Sequence, residues 1–312
     1  MKRIAGLVAL AGLLWLTAGC TLLQPGPVAR FEASPVVIYA GDQVTLDASS
    51  SYGSRAIVSY AWTIDGEKRS GRQVDYTFSS AGHYTVTLQV EDADGHIARA
   101  EEELTVYLPS GTQIFADGFS DGPEALDRWQ LDPTWASEGD GAIVQMSNTH
   151  GYVLHIASNA DRWYRLTMPV TLPPLRVGQR IVYTFQAMMA QTQDGYSMEI
   201  QPARQTLDGL TGSLPYYLYT SSIGASAQEP QAVGGAIGHP IPFVPKVFQW
   251  DTYRFTFTAT DYTLSIDGEV YASGPLTHSI ASGGTWMILL GDESHTDACN
   301  AYFDDIQVQI EE

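Results

Sequence analysis

The sequence predicts an all-β protein made of two successive sandwiches, and three features carry that reading. Short runs in which apolar and polar residues alternate recur from Val28 to the C-terminus. Gly, Asp, Ser and Pro divide those runs at the spacing of tight turns. Beyond the N-terminus no stretch repeats its apolar residues with helical period, a turn around 123–128 being the exception. Period two marks half-buried strands, and strands packed this densely make a sandwich. At 312 residues the chain has room for two domains of ~100–200 residues, each with its own core. A formal charge of −19 opposes binding to nucleic acid, and to an anionic membrane surface except through an anchor.

The N-terminus sets where the rest works. Lys2 and Arg3 precede an apolar run over 4–16, too short for a comfortable bilayer span but long enough for an export signal. Small residues Ala18 and Gly19 stand directly before Cys20. Leu13-Leu14-Trp15-Leu16-Thr17-Ala18-Gly19-Cys20 resembles the lipobox of bacterial lipoproteins, with Thr17 where an aliphatic residue is commoner. The resemblance implies removal of residues 1–19 and acylation of Cys20, by palmitate or a similar chain. Several acyl chains give stable anchoring where one is marginal. The expected location is then the bacterial envelope: the outer membrane in a Gram-negative cell, the cell surface otherwise. An ordinary secretory signal is the alternative. Residues 20–27, with Pro25, Gly26 and Pro27, read as a tether. Cys299 is the one other cysteine and reads as a small buried residue.

The first domain is expected over 28–108. Val44 and Leu46 alternate with polar residues, as do Val58, Tyr60, Trp62 and Ile64, then Val74, Tyr76 and Phe78, then Tyr84, Val86, Leu88 and Val90. Asp65-Gly66 and Asp94-Gly95 are hairpin turn signals. Ile57-Val58-Ser59-Tyr60-Ala61-Trp62, Tyr76-Thr77-Phe78, Ala81-Gly82-His83-Tyr84-Thr85-Val86-Thr87-Leu88 and Asp92-Ala93-Asp94-Gly95 follow in the order found in PKD (polycystic kidney disease) domains. The segment resembles that family, an immunoglobulin-like sandwich. The resemblance implies a spacer or interaction module, with Trp62 in the core. The acidic run 92–95 lacks the flanking ligands of an EF-hand loop and reads as a turn.

Residues 109–113 form a linker, and the second domain is expected over 114–312. Its strand candidates are 142–146, 152–157, 164–170, 180–190, 196–201, 216–220, 250–259, 262–266, 286–290 and 301–310. Asp267-Gly268 turns the chain into a hairpin over 262–272. The stretch 221–248, rich in Gly, Pro, Ala and Ser, reads as a long loop. So many strands imply two packed sheets, a large jelly roll. Phe115-Ala116-Asp117-Gly118-Phe119-Ser120-Asp121-Gly122, Trp250-Asp251-Thr252-Tyr253-Arg254 and the closing Phe303-Asp304-Asp305-Ile306 resemble concanavalin A-like lectin/glucanase (LamG-type) domains. That resemblance implies a module that binds a glycan or another cell-surface polymer.

Candidate chemistry follows from residue types. A glycosidase needs two carboxylates at defined separation. Glu199, on one face with Ser197 and Gln201, has no visible partner, and the laminarinase-type Glu-x-Asp-x-x-Glu is absent. Binding without catalysis is therefore the expectation. A glucanase-type hydrolase, or a purely structural or protein-interaction lipoprotein, remains the alternative. Sugars stack on flat rings, which makes Trp135, Trp163, Tyr164 and Tyr217 candidate contacts, with Glu199 as a polar one. Calcium gathers six to eight oxygens from separate loops. Antiparallel first and last strands would bring Asp117 and Asp304 together for one structural ion. His295, Asp297 and Cys299 share a strand face but would crowd a tetrahedral zinc.

Overall fold

The computed structural model describes residues 25–131, 141–147, 149–157, 165–190, 195–202, 216–221, 224–231, 235–241, 243, 246, 248–276, 279–291 and 300–312. Strands dominate throughout, in four sheets. The first domain contains β1 (Glu32–Ser34), β2 (Ile38–Tyr39), β3 (Gln43–Asp47), β4 (Ile57–Ile64), β5 (Glu67–Ser70), β6 (Gln73–Thr77), β7 (Gly82–Asp92) and β8 (Ile97–Tyr107). A three-stranded sheet of order β1-β3-β6 faces a five-stranded sheet of order β2-β8-β7-β4-β5.

Alternation explains which side each sheet buries. On β7, Val86, Leu88 and Val90 are buried, while the residues between them are only partly covered. They meet Val44 and Leu46 of β3 and Trp62 and Ile64 of β4 in one cluster. Trp62 sits at its centre, edge-on to Phe31 at 5.2 Å, and its Nε1–H donates to the Gly71 carbonyl at 2.8 Å. That satisfied donor lets so large a ring be wholly buried. Val58, by contrast, is exposed. A bulge between Ile57 and Ser59 breaks the alternation at the start of β4, so Val58 leaves the core face while Ile57 packs against the core. Asp65 and Gly66 adopt φ of 49° and 77°, the left-handed pair that a two-residue hairpin needs. The 92–95 stretch is a turn: the buried Asp92 carboxylate accepts the Asp94 and His96 N–H groups at 2.9 Å each.

The second domain opens with β9 (Gln113–Asp117) and a 3-10 helix (Gly122–Arg128) where a turn was expected. Then come β10 (Gln130–Leu131), β11 (Gly141–Ser147), β12 (Gly151–Ala157), β13 (Arg165–Leu172), β14 (Arg180–Met189), β15 (Gly195–Pro202), β16 (Tyr216–Ser221), β17 (Gly224–Gln231) and β18 (Gly235–Ile241). The chain ends with β19 (Asp251–Phe257), β20 (Asp261–Ile266), β21 (Glu269–Pro275), β22 (Gly284–Gly291) and β23 (Asn300–Glu311). One sheet runs β11-β12-β23-β14-β19-β20-β21 with β9 also on β23, and the other runs β10-β13-β22-β15-β16-β17-β18. The two sheets sandwich a single core, a jelly-roll architecture. Tyr183 and Phe185 of β14 and Tyr253, Phe255 and Phe257 of β19 form an aromatic ladder, with Phe185 stacked on Tyr253 at 5.0 Å. Leu166, Met168 and Val170 of β13 and Trp286, Ile288 and Leu290 of β22 join the same cluster from the other sheet.

The long loop expected over 221–248 is not one. Two strands, β17 and β18, occupy much of it and continue the sheet outward from β16. Backbone pairing alone builds such strands, so Gly, Ala and Ser with no apolar periodicity enter them. Pro240 lies on β18, the outermost strand, where a residue without an N–H is best tolerated.

Candidate functional site

The outer face of the seven-stranded sheet is defined by register. Residues directly opposite in an antiparallel ladder share a face. Trp286, Ile288 and Leu290 turn into the core, so the positions of Met287 and Leu289 belong to the outer side. Leu289 stands opposite Thr167 on β13 and opposite Glu199 on β15; Glu199 stands opposite Tyr217, and Tyr217 opposite Gln228. The next row holds Gly291, Ser197, Tyr219 and Ser226. Two rows of the sheet thus carry tyrosine, carboxylate, hydroxyl and amide positions side by side. Glu199 and Tyr217 fall on adjacent strands of one face, and Tyr216, Tyr217 and Tyr219 lie within β16, where a strand was expected over 216–220. Trp135, Trp163, Tyr164, Cys20, His295, Asp297 and Cys299 lie outside the described residues.

The expected calcium pair divides. β9 and β23 are antiparallel neighbours, with Asp117 opposite Ile306. The buried Asp117 carboxylate is nevertheless committed to other donors. It accepts the Phe119 N–H and Trp129 Nε1–H at 2.9 Å each and the Arg128 guanidinium at 2.8 and 3.2 Å. Those bonds pin the 3-10 helix to β9 and leave Asp117 little lone-pair capacity for an ion. Asp304 gathers different partners: ligand atoms of His150, Asp304 and Asp305 all lie within 4.8 Å of one another. His150 Nδ1 is 3.3 Å from Asp304 Oδ2, and its ring stacks on Trp250 at 4.3 Å. A β-bulge puts the successive residues Asp304 and Asp305 together, Asp305 at φ 50°. A Cβ on Gly118 would stand 3.5 Å from Asp305 Oδ1 and 3.8 Å from Asp304 Oδ1, so both carboxylates turn toward bare backbone. Burial, with the Asp305 charge beside it, pushes Asp304 up to about 6 against the pull of the Asp305 N–H and His150. Oxygen donors of this kind fit a hard cation better than a soft one. The Asp304-Asp305 doublet was visible in the sequence; nothing local marked His150.

Residues 24–106 match the PKD domain family. The PKD1 domain of Vibrio anguillarum Epp is 30% identical, matching 28% of this chain and 99% of that one, with a TM-score of 0.25. Carbohydrate-binding modules of the β-sandwich superfamily are 16% identical over 91% of this chain and 98% of theirs, with a TM-score of 0.31. SCLam, a non-specific endo-β-1,3(4)-glucanase of family GH16, is 11% identical over 64% of this chain and 91% of its own, with a TM-score of 0.45. No curated protein matches the chain in sequence. The sheet topology defines the class, an all-β protein of two sandwiches, immunoglobulin-like and then jelly-roll. Within it, residues 24–106 belong to the PKD domain family.

Proposed function

We propose that this chain is a lipid-anchored protein of the bacterial envelope whose jelly-roll domain binds a glycan or another surface polymer without cleaving it. The PKD domain holds that module away from the membrane. The observation that carries the binding reading is the outer sheet face, where the Glu199 and Tyr217 positions are adjacent in register and the Ser197 and Tyr219 positions follow. Flat aromatic faces match the C–H faces of sugars, and carboxylate, hydroxyl and amide groups take their hydroxyls. Export and anchoring rest on the basic, apolar and small-residue order ending at Cys20. Asp304 and Asp305, rather than Asp117, hold one structural calcium ion beside Gly118, with backbone carbonyls completing its shell.

A glycan array probed with the soluble 28–312 chain, with and without calcium, tests the binding role. Retention on at least one polysaccharide class is expected, weakened by Tyr217→Ala and by Glu199→Gln. A blank array under both conditions overturns the reading, and release of sugar by the wild type but not by Glu199→Gln turns it into hydrolysis. Acyl labelling in cells tests the anchor: label is lost in Cys20→Ser, and an unlabelled wild type removes the anchor from the account.

A further inference from the structure

The end of the jelly-roll core carries a second acidic cleft, independent of the glycan face. Its volume is about 350 Å³, and Phe243, Lys246, Gln249, Asp251, Asp267 and Glu269 help to line it. Asp251 opens β19 on the core-facing side, the position that Tyr253, Phe255 and Phe257 repeat farther along. It is only 1% exposed, so a carboxylate stands where the pattern puts hydrophobes. Its Oδ1 accepts the Gln249 Nε2–H at 3.0 Å, whereas its Oδ2 is buried with no hydrogen-bond partner. Burying a charged oxygen unpaired costs several kcal/mol in general, so a retained one calls for a ligand.

The neighbour that faces it is another acid. Asp267 occupies the β20–β21 turn at φ 52°, locked to β19 by two bonds: the Thr252 N–H donates to its Oδ1 at 2.8 Å, and its own N–H donates to the Thr252 carbonyl at 2.9 Å. Asp267 lines the same cleft as Asp251, and its charge acts on that buried carboxylate. Neither acid can donate to the other when both are ionised, so the gap between them suits a proton or a cation. Glu269 is oriented by the Tyr271 hydroxyl at 3.2 Å. Three carboxylates against one ammonium, Lys246, leave two formal negative charges around the cleft.

We infer that Asp251 and Asp267, with Glu269 at the rim, form a seat for a divalent hard cation of the calcium class. Calcium suits it because the anionic donors are oxygen, and among the described residues neither histidine nor cysteine lines the cleft. The cation ties the β20–β21 turn to the start of β19 and closes that end of the sandwich.

Terbium luminescence, excited through nearby tyrosine and displaced by calcium, provides the test on the soluble 28–312 chain. All titrations use an Asp304→Asn background, so that the cluster at His150 and Asp305 does not contribute. Asp267→Asn is the first variant, since Asn tolerates the left-handed turn and keeps an oxygen for the Thr252 N–H. It is expected to weaken terbium binding by ~10-fold or more, with an unchanged circular dichroism spectrum in chelator. Asp251→Asn, the second variant, is expected to abolish the saturable signal. Titration curves indistinguishable among the background and both variants overturn the seat, as does a background protein that shows no saturable signal.

Discussion

Asp251 gains from losing its charge when no cation is bound. Burial first, and then the Asp267 charge, push it up to about 6, against ~3.9 for an unfolded aspartate. The folded state therefore holds this proton more tightly than the unfolded chain does. The sign follows: the contribution to stability is fully present below about pH 4 and is lost as pH rises through about 6. Asp251→Asn, neutral at every pH, escapes that loss. In chelator at pH 7.5 the variant is expected to be more stable than wild type by about 3 kcal/mol, a shift of about two pKa units at ~1.4 kcal/mol each. The gap closes as pH falls toward 4. Thermal unfolding across that range reads it directly, and equal melting temperatures at pH 7.5 would remove the buried charge from the account. Saturating calcium reverses the order at pH 7.5, because the cation stabilises only the wild type.

At the scale of elements, the turns are the most tightly specified parts, and Gly283 shows why. It has φ of +67° just before β22, and a Cβ there would lie 2.4 Å from the Leu172 carbonyl oxygen. Backbone, not a flexible side chain, is what it would strike. Gly283→Ala is expected to destabilise the second domain by about 2 kcal/mol or more, through steric conflict and left-handed strain together; a denaturant midpoint unchanged from wild type would refute it. The same logic decides what was legible in the sequence. Asp65-Gly66 and Asp267-Gly268 announce their hairpins because the residues themselves supply the positive φ. Strands such as β14 and β19 announce themselves because one face is buried, and alternation records it. β17 and β18 were illegible because their placement comes from β16 offering an open ladder edge, which leaves no mark on 224–241. Val58 misled because the bulge beside it is a property of two strands in register. In the candidate sites, Asp304 could be read from the acidic doublet within the closing strand. His150, 154 residues away, could not, and nothing in the strand candidate 250–259 marked Asp251 as buried. Burial, which separates a structural acid from a solvated one, exists only once the sheets have closed.

At the scale of the whole molecule, the two domains have separate cores, and no buried residue belongs to both clusters. The connection between them is fastened to the second domain rather than free. Gly111 N–H donates to the Ile310 carbonyl at 2.8 Å, Ile310 N–H to the Thr112 carbonyl at 2.9 Å, and Gln179 Nε2–H to the Leu108 carbonyl at 2.7 Å. Separate cores imply separate cooperative units, because most folding free energy comes from apolar burial within each cluster. Calorimetry of the soluble 28–312 chain should therefore resolve two transitions. Trp62→Ala empties the centre of the first core and orphans the Gly71 carbonyl, costing about 3–5 kcal/mol. It should lower one transition and leave the other where it was. Calcium should raise only the transition that Trp62→Ala does not touch, since both acidic clusters lie in the jelly roll. If Trp62→Ala moved both transitions together, the domains would unfold as one body, which would oppose the spacer role proposed for the first of them.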